Sequence, residues 1–97
     1  MTTDSPLKDL AVAMAGLESP KEAEAFLADL CTPTELRAIS ERWHVARLLA
    51  RGDKTYRQIH DETGVSTTTI TRVARFLNAE ENRGYRAMID RLEGEKA

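Results

Sequence analysis

Two helix-start signals separated by one glycine lie within residues 55–74 and constrain the fold more than any other feature of the chain. Thr55 is followed three residues later by Gln58, a pattern in which each side chain accepts a hydrogen bond from the other residue's backbone N–H. Gly64 can adopt the positive φ of a turn, and Ser66 can cap a second helix. The run therefore predicts a helix, a tight turn and a second helix held at a fixed angle.

The second of these helices, predicted over residues 66–77, has two chemically distinct faces. The apolar residues that follow the i, i+3, i+4, i+7 spacing of a buried stripe are Ile70, Val73, Ala74 and Leu77. The opposite face carries hydroxyls and guanidiniums, from Thr68, Thr71, Arg72 and Arg75. Hydroxyls bind base edges or phosphates, and an arginine can bind guanine or phosphate through two hydrogen bonds. This face indicates a DNA-reading helix, and the alternative is a threonine-rich helix of no special role.

Charge is distributed unevenly along the chain. The formal net charge is −2, but residues 1–41 carry net −5, residues 42–76 net +4 and residues 77–97 net −1. Because phosphate binding depends on the local potential, a basic reading segment in an otherwise acidic chain is compatible with DNA binding and disfavours indiscriminate binding.

Helical patterns also occupy the rest of the chain. Capping-box patterns with proline at the first helical position occur at Ser19–Glu22 and Thr32–Glu35. Apolar stripes fall at Leu7, Leu10, Ala11 and Met14 before Gly16; at Ala23, Phe26, Leu27 and Leu30; at Leu36, Ile39, Trp43, Ala46 and Leu49 before Gly52; and at Tyr85, Met88, Ile89 and Leu92 after Gly84. No segment alternates with the period of a strand. We predict an all-α fold of six helices in one domain over residues 1–97, with residues 1–5 and 94–97 frayed.

These stripes exceed what a compact reading head needs to cover. A chain of 97 residues gains from a partner subunit that buries apolar surface. We therefore expect a C2 homodimer, which would present two reading helices to adjacent major-groove faces about 34 Å apart.

Several classes of protein are disfavoured by what the sequence contains. The one cysteine, Cys31, excludes an intramolecular disulfide, and neither His44 nor His60 lies in a metal-ligand pattern. There is no catalytic-triad motif or glycine-rich phosphate loop, so we expect no enzyme activity, no metal and no cofactor. No apolar run approaches the ~18 residues of a membrane span, and the start lacks a leader pattern, so we expect a cytoplasmic chain without a membrane partner.

Residues around the first helix of the pair add candidate DNA contacts. Lys54 and Arg57 flank its start, where we expect phosphate contacts, and Arg57 has a base edge as its alternative. Tyr56 either packs or touches a phosphate, and His60 either faces the DNA backbone or is an exposed polar residue. The predicted DNA-binding set from the two helices is Lys54, Tyr56, Arg57, His60, Ser66, Thr67, Thr68, Thr71, Arg72 and Arg75.

Several motifs of the chain resemble the Trp repressor superfamily. They are Thr32-Pro33-Thr34-Glu35, Leu48-Leu49-Ala50-Arg51-Gly52 and Thr69-Ile70-Thr71-Arg72. Three further segments are similar to its TrpR-like YerC/YecD branch: Ser40-Glu41-Arg42-Trp43, the run from Gly64 to Arg75, and Gly84-Tyr85-Arg86. The resemblance covers roughly residues 20–92, and it implies an intertwined all-helical homodimer whose fourth and fifth helices read DNA.

The resemblance also implies an effector pocket. In the Trp repressors, two arginines that match Arg42 and Arg72 flank the amino-acid co-repressor; Val73 stands where those proteins have glycine, and Phe76 where they have serine. The pocket so implied consists of Thr32, Arg42, Arg72, Val73 and Phe76. Because added apolar bulk would leave the ligand's ammonium group short of hydrogen bonds, tryptophan is disfavoured as co-repressor. Arg42 and Arg72 would then bind DNA phosphates, or a different small ligand would use the space.

The leading functional hypothesis is a sequence-specific transcriptional regulator, most simply a repressor, acting as a homodimer on a palindromic operator. The alternative is a protein-interaction scaffold that uses the helix-turn-helix without sequence-specific DNA binding. The two differ in which partner contacts the face formed by Thr68 and Arg72. The sequence leaves open the operator, the regulated genes, the direction of regulation and any effector.

Overall fold

The computed structural model describes residues 5–96, and their side chains from 5 to 94. Within that range the chain forms six α-helices and no strand: α1 (Pro6–Ala15), α2 (Pro20–Leu30), α3 (Pro33–Arg51), α4 (Tyr56–Thr63), α5 (Thr67–Asn78) and α6 (Gly84–Lys96). The predicted all-α fold is confirmed. Of the ends predicted to fray, Ser5 caps α1 and the backbone from 94 to 96 is helical, whereas residues 1–4 and Ala97 lie outside the described residues.

The helix starts follow the capping patterns closely. Thr32 and Glu35 form both bonds of a capping box, with 2.8 Å from the Thr32 amide to Glu35 Oε1 and 3.1 Å from the Glu35 amide to Thr32 Oγ1. The pattern at Ser19 forms differently. Ser19 Oγ accepts from the Glu22 amide at 3.1 Å, but the Glu22 carboxylate accepts from the amide of Glu18, at 3.2 Å. That box is therefore shifted by one residue, and Glu22 ties down the chain before the cap.

The chain divides into two compact units, and the boundary falls inside α3, between Leu36 and Arg37. The first unit contains α1, α2 and the start of α3. Neither α1 nor α2, both wholly within the described range, contains a buried residue. Leu7 on α1 is 73% exposed and Leu30 on α2 is 49% exposed. The apolar stripes of these two helices are thus only partly covered in a single chain.

The second unit has a continuous apolar core built by α3, α4, α5 and α6. Its buried members are Val45, Ala46, Leu48, Ile59, Val65, Ile70, Val73, Leu77 and Ile89, with Trp43, Leu49, Ala50 and Tyr85 packed against them. The α5 stripe is buried as predicted. The α3 stripe is displaced, because Val45 and Leu48 are buried while Ile39 is 39% exposed. On α6, Ile89 is buried but Met88, predicted on the same face, is exposed.

Candidate nucleic-acid interface

The turn between α4 and α5 is tied by a cluster of short hydrogen bonds. Gly64 has φ +77°, and its amide donates to the His60 carbonyl at 2.8 Å. The Thr63 hydroxyl donates to the Ile59 carbonyl at 2.7 Å and accepts from the Val65 amide at 3.1 Å. His60 Nδ1 lies 2.8 Å from the Val65 carbonyl, which can only accept, so Nδ1 carries the proton. The turn is therefore fixed from both sides of Gly64.

Hydrogen bonds at each helix start complete the motif. The capping box at α4 is formed, with 2.8 Å from the Thr55 amide to Gln58 Oε1 and 3.1 Å from the Gln58 amide to Thr55 Oγ1. Ser66 caps α5, since its Oγ accepts from the Thr69 amide at 3.1 Å and donates to Thr69 Oγ1 at 3.0 Å. The Ser66 hydroxyl is thus used inside the protein, which weighs against Ser66 as a direct base contact.

The outer face of α5 carries the residues predicted to read DNA. Five of them line one open concavity of about 420 Å³: Thr67, Thr68, Thr71, Arg72 and Arg75. All five side chains are exposed, whereas Ile70, Val73, Ala74 and Leu77 on the opposite face are buried. The helix therefore presents hydroxyls and guanidiniums outward, while its opposite face is anchored in the core.

Arg72 and Phe76 form a pair on this helix. The guanidinium carbon of Arg72 lies 4.6 Å from the centroid of the Phe76 ring, within the range of a cation–π contact. The two residues are one turn apart, which brings side chains together on a helix surface. Phe76 itself is half-buried.

The basic residues flanking α4 differ in their intramolecular partners. Lys54 Nζ binds Glu62 Oε1 at 2.9 Å, and this hydrogen bond, together with the charge of Glu62, raises the pKa of Lys54. Arg57 Nε lies 4.0 Å from Asp61 Oδ2, and the Arg57 side chain is 87% exposed. Arg57 is therefore the more available of the two for DNA, since Lys54 has to leave or share Glu62.

The remaining predicted contacts on α4, Tyr56 and His60, also differ in whether the protein itself already uses their polar groups. Tyr56, the first residue of α4, is exposed. His60 is exposed overall but holds the turn through Val65, so its ring nitrogen Nδ1 is committed to structure. The sequence patterns predicted no role for Thr63, whose hydroxyl bonds both ends of the turn. A threonine immediately before the turn glycine was the available signal for it, because threonine hydroxyls often bond the backbone four residues earlier.

The residues of the implied effector pocket have different environments. Val73 is 1% exposed and belongs to the core, Phe76 lies under the Arg72 guanidinium, and Arg42 is half-buried on α3. Thr32 belongs to the first unit and caps α3. Neither Val73 nor Phe76 has a hydrogen-bond acceptor in its side chain. These two positions therefore do not fit the ammonium group of an amino acid.

A six-helix α fold in which a basic helix-turn-helix presents hydroxyls and guanidiniums defines a DNA-binding regulator of the helix-turn-helix class. The chain belongs to the Trp repressor family: the family profile described as Trp repressor protein matches residues 5–93. Proteins of this family are transcription regulators, so the expectation that the chain is not an enzyme is confirmed. Among the helices within residues 5–96, none is long and apolar enough to cross a membrane.

Known relatives agree with this assignment. The chain is 41% identical over 86 residues to the uncharacterized protein YerC of Bacillus subtilis (strain 168), covering 89% of this chain and 81% of that protein. It is 33% identical over 76 residues to a Trp operon repressor homolog of Vibrio vulnificus (strain YJ016), covering 78% and 74%. The solved structure of a TrpR like protein from Eubacterium eligens ATCC 27750 matches with a TM-score of 0.79 at 41% identity, over 89% of this chain and 87% of that one. The predicted TrpR-like YerC branch is confirmed.

Proposed function

We propose that this protein is a sequence-specific transcriptional repressor that binds a palindromic operator as a homodimer, with α5 in the major groove. The observation that carries the proposal is the outward face of α5, where three threonines and two arginines line one concavity. A major groove about 12 Å wide admits a helix and offers base edges that hydroxyl and guanidinium groups can distinguish. The description of the Vibrio vulnificus relative as a Trp operon repressor homolog supports repression. We place this activity in the cytoplasm, with the DNA.

The homodimer is supported by the first unit. Its two complete helices contain no buried residue and leave their apolar stripes only partly covered. Ile39 and Met88 add exposed apolar side chains on α3 and α6. Apolar area is stabilised by about 25 cal/mol per Å² when it is removed from water. A second copy of the chain would cover these stripes, and its own reading helix would supply the second half of a palindromic contact.

The test is selection of bound duplexes from random DNA by the purified full-length chain. We expect enrichment of a palindrome whose half-site centres lie about 34–36 Å apart along the duplex. The variant T71V removes a hydroxyl from the reading face with little change in shape, and T34V makes the same change on α3. We expect T71V to lose about 1–3 kcal/mol of discrimination at one base pair and T34V to lose none.

Two results of these measurements would contradict the proposed function. If the wild-type chain enriches no sequence over random duplex at physiological salt, sequence-specific regulation is excluded. If T71V and R72A leave DNA retention unchanged but abolish capture of a protein, the helix-turn-helix is a docking scaffold.

We further propose that tryptophan is not the co-repressor. The buried Val73 and the Phe76 ring under Arg72 support this, because neither position provides an acceptor for the ligand's ammonium group. Arg42 and Arg72 are then available for phosphates. Titration of the selected operator with and without millimolar L-tryptophan should give the same affinity, and a tenfold gain with tryptophan would overturn this part of the proposal.

A further inference from the structure

The contact between Arg72 and Phe76 has a geometry suited to presenting the arginine. Phe76 is half-buried and lies one turn beyond Arg72 on α5, between the buried residues Ala74 and Leu77. The guanidinium carbon lies 4.6 Å from the ring centroid, and Arg72 lines the outward concavity with Thr68 and Arg75. The Phe76 ring thus links Arg72, in the middle of the reading face, to the part of α5 that is packed in the core.

A phenyl ring suits this role because it occupies none of the hydrogen-bonding groups of arginine. The guanidinium has five N–H donors, and a cation–π contact uses the charge of the group rather than these donors. A carboxylate partner would consume the donors that DNA needs, as Glu62 does for Lys54 at 2.9 Å. An arginine without any partner would lose more side-chain freedom when it is ordered by DNA.

We propose that Phe76 is a positioning residue that holds the Arg72 guanidinium on the reading face before DNA arrives, so that α5 presents this arginine without a bound small molecule. The proposal rests on the proposed DNA-binding function and deepens it. Phe76 acts through Arg72 and does not itself contact DNA. Val73, the residue after Arg72, is buried in the core and so anchors the same turn of α5.

The first test needs no DNA. An arginine held over an aromatic ring has its side-chain protons shifted upfield in the NMR spectrum. We expect upfield-shifted Arg72 δ-protons in the wild-type chain, a return to ordinary values in F76L, and retention of the shift in F76Y, which keeps the ring. Ordinary Arg72 shifts in the wild-type chain, or identical shifts in the wild type and F76L, would overturn the proposal.

The second test is a double-mutant cycle for operator affinity with the wild type, F76L, R72A and the double variant. A cation–π contact at an exposed site corresponds to about a two- to fivefold change in affinity for each reading helix. We expect F76L to lower operator affinity by this factor for each reading helix, or about four- to twenty-fivefold for the two helices of the proposed homodimer, and to have no effect when Arg72 is already alanine. F76Y should restore wild-type affinity.

A merely structural role for Phe76 predicts a different pattern. F76L would then weaken binding equally in both backgrounds and would lower the melting temperature in proportion, and that result would refute positioning. Failure of the proposed function is separate, because it shows as no preferred duplex for the wild type. In that case the NMR shifts of Arg72 still decide whether Phe76 holds it.

Discussion

Three cationic side chains of the helix-turn-helix differ in what already binds them. Lys54 is bonded to Glu62 at 2.9 Å, Arg57 lies 4.0 Å from Asp61, and Arg72 lies over a ring that takes none of its hydrogen bonds. A cation that is already paired gives up that partner when it binds phosphate, whereas Arg57 and Arg72 give up little. These side chains should therefore contribute unequally to DNA affinity even though their formal charges are the same.

Substitution of Glu62 by glutamine should strengthen DNA binding. E62Q removes the negative charge of the Glu62 side chain on α4 and leaves Lys54 only a neutral, weaker acceptor, so Lys54 moves more readily to a phosphate. We expect tighter binding and a slope of log K against log salt that is steeper by about 1. Fluorescence anisotropy at several salt concentrations measures both quantities.

The control for this change is the same substitution in a K54M background. There the glutamine should give a smaller gain, because no lysine is released. An equal gain in both backgrounds would assign the effect to removal of the Glu62 charge alone, and the lysine would have no part in binding.

The α4–turn–α5 segment is held by bonds that are almost all local. His60, Thr63 and Ser66 each bond a group within five residues along the chain, and Ile59, Val65 and Ile70 carry the segment into the core. Local bonds of this kind form whenever the segment folds, so the angle between α4 and α5 is set mainly by the segment itself. The reading helix is thereby fixed relative to the start of α4.

Gly64 should tolerate asparagine better than alanine. Its φ is +77°, and a Cβ added there meets nothing within 4 Å, so the penalty for a side chain is purely one of backbone conformation. We expect G64A to lose about 1–2 kcal/mol of the free energy of unfolding and G64N to lose less, because asparagine enters the left-handed region more readily. Denaturant unfolding of both variants measures the difference. G84A, at a glycine with open space and no positive φ, should lose nothing; a loss there equal to that of G64A would contradict the conformational argument.

The start of α3 should respond to acid. The hydrogen bond that Glu35 accepts from the Thr32 amide lowers the pKa of Glu35 from its ordinary value of 4.5. A lowered folded-state pKa means that the contribution to stability is present above 4.5 and is lost as the pH falls through the folded value. We expect the Thr32 amide proton to shift with pH in that acidic range. In E35Q, which keeps the capping acceptor but does not ionise there, this shift should be absent, and its persistence would assign it to another group.

The sequence predicted the helix bounds well because caps and stripes are local signals. Thr55, Ser66 and the glycines at 52 and 64 act on their own neighbours, and both glycines have positive φ as the turns require. The α3 stripe was wrong in part, since the burial of Val45 and Leu48 depends on which neighbours pack on α3 rather than on spacing alone. Specific side-chain partners could not be predicted, because they depend on side-chain directions that composition and periodicity do not determine. Examples are the contacts of Lys54 with Glu62, of His60 with Val65 and of Arg72 with Phe76.

The chain as a whole has an uneven distribution of covered apolar surface. The core of the second unit is continuous, whereas α1 and α2 contain no buried residue along their described lengths. A helix stabilised mainly by packing of its apolar face requires something to pack against. The proposed homodimer supplies that surface, and folding of the first unit is then linked to protein concentration.

Leu7 offers a direct test of this linkage. L7E places a charge on the exposed stripe of α1, where a monomer would tolerate it because the residue is 73% exposed. In the homodimer it would bury an unpaired charge, so we expect weaker association and a lower melting temperature that depends on concentration. Sedimentation equilibrium and thermal unfolding measure the two effects.

K8E is the matched control for L7E. It introduces the same side chain at an exposed polar position of α1, next to Leu7. We expect association close to that of the wild type. If L7E also leaves the sedimentation behaviour unchanged, the α1 stripe is not part of the interface.

The short span of the α5 reading face limits how much DNA one copy of the chain can recognise. From Thr67 to Arg75 the helix advances about 12 Å at 1.5 Å per residue, which matches about four base pairs at 3.4 Å each. A sequence of about four base pairs recurs by chance throughout any chromosome, so one copy of the protein chain cannot select a single locus. Two such short sequences at a fixed separation are far rarer. In the proposed homodimer, recognition of a unique gene would therefore depend on the spacing between the two copies rather than on further contacts by either reading helix.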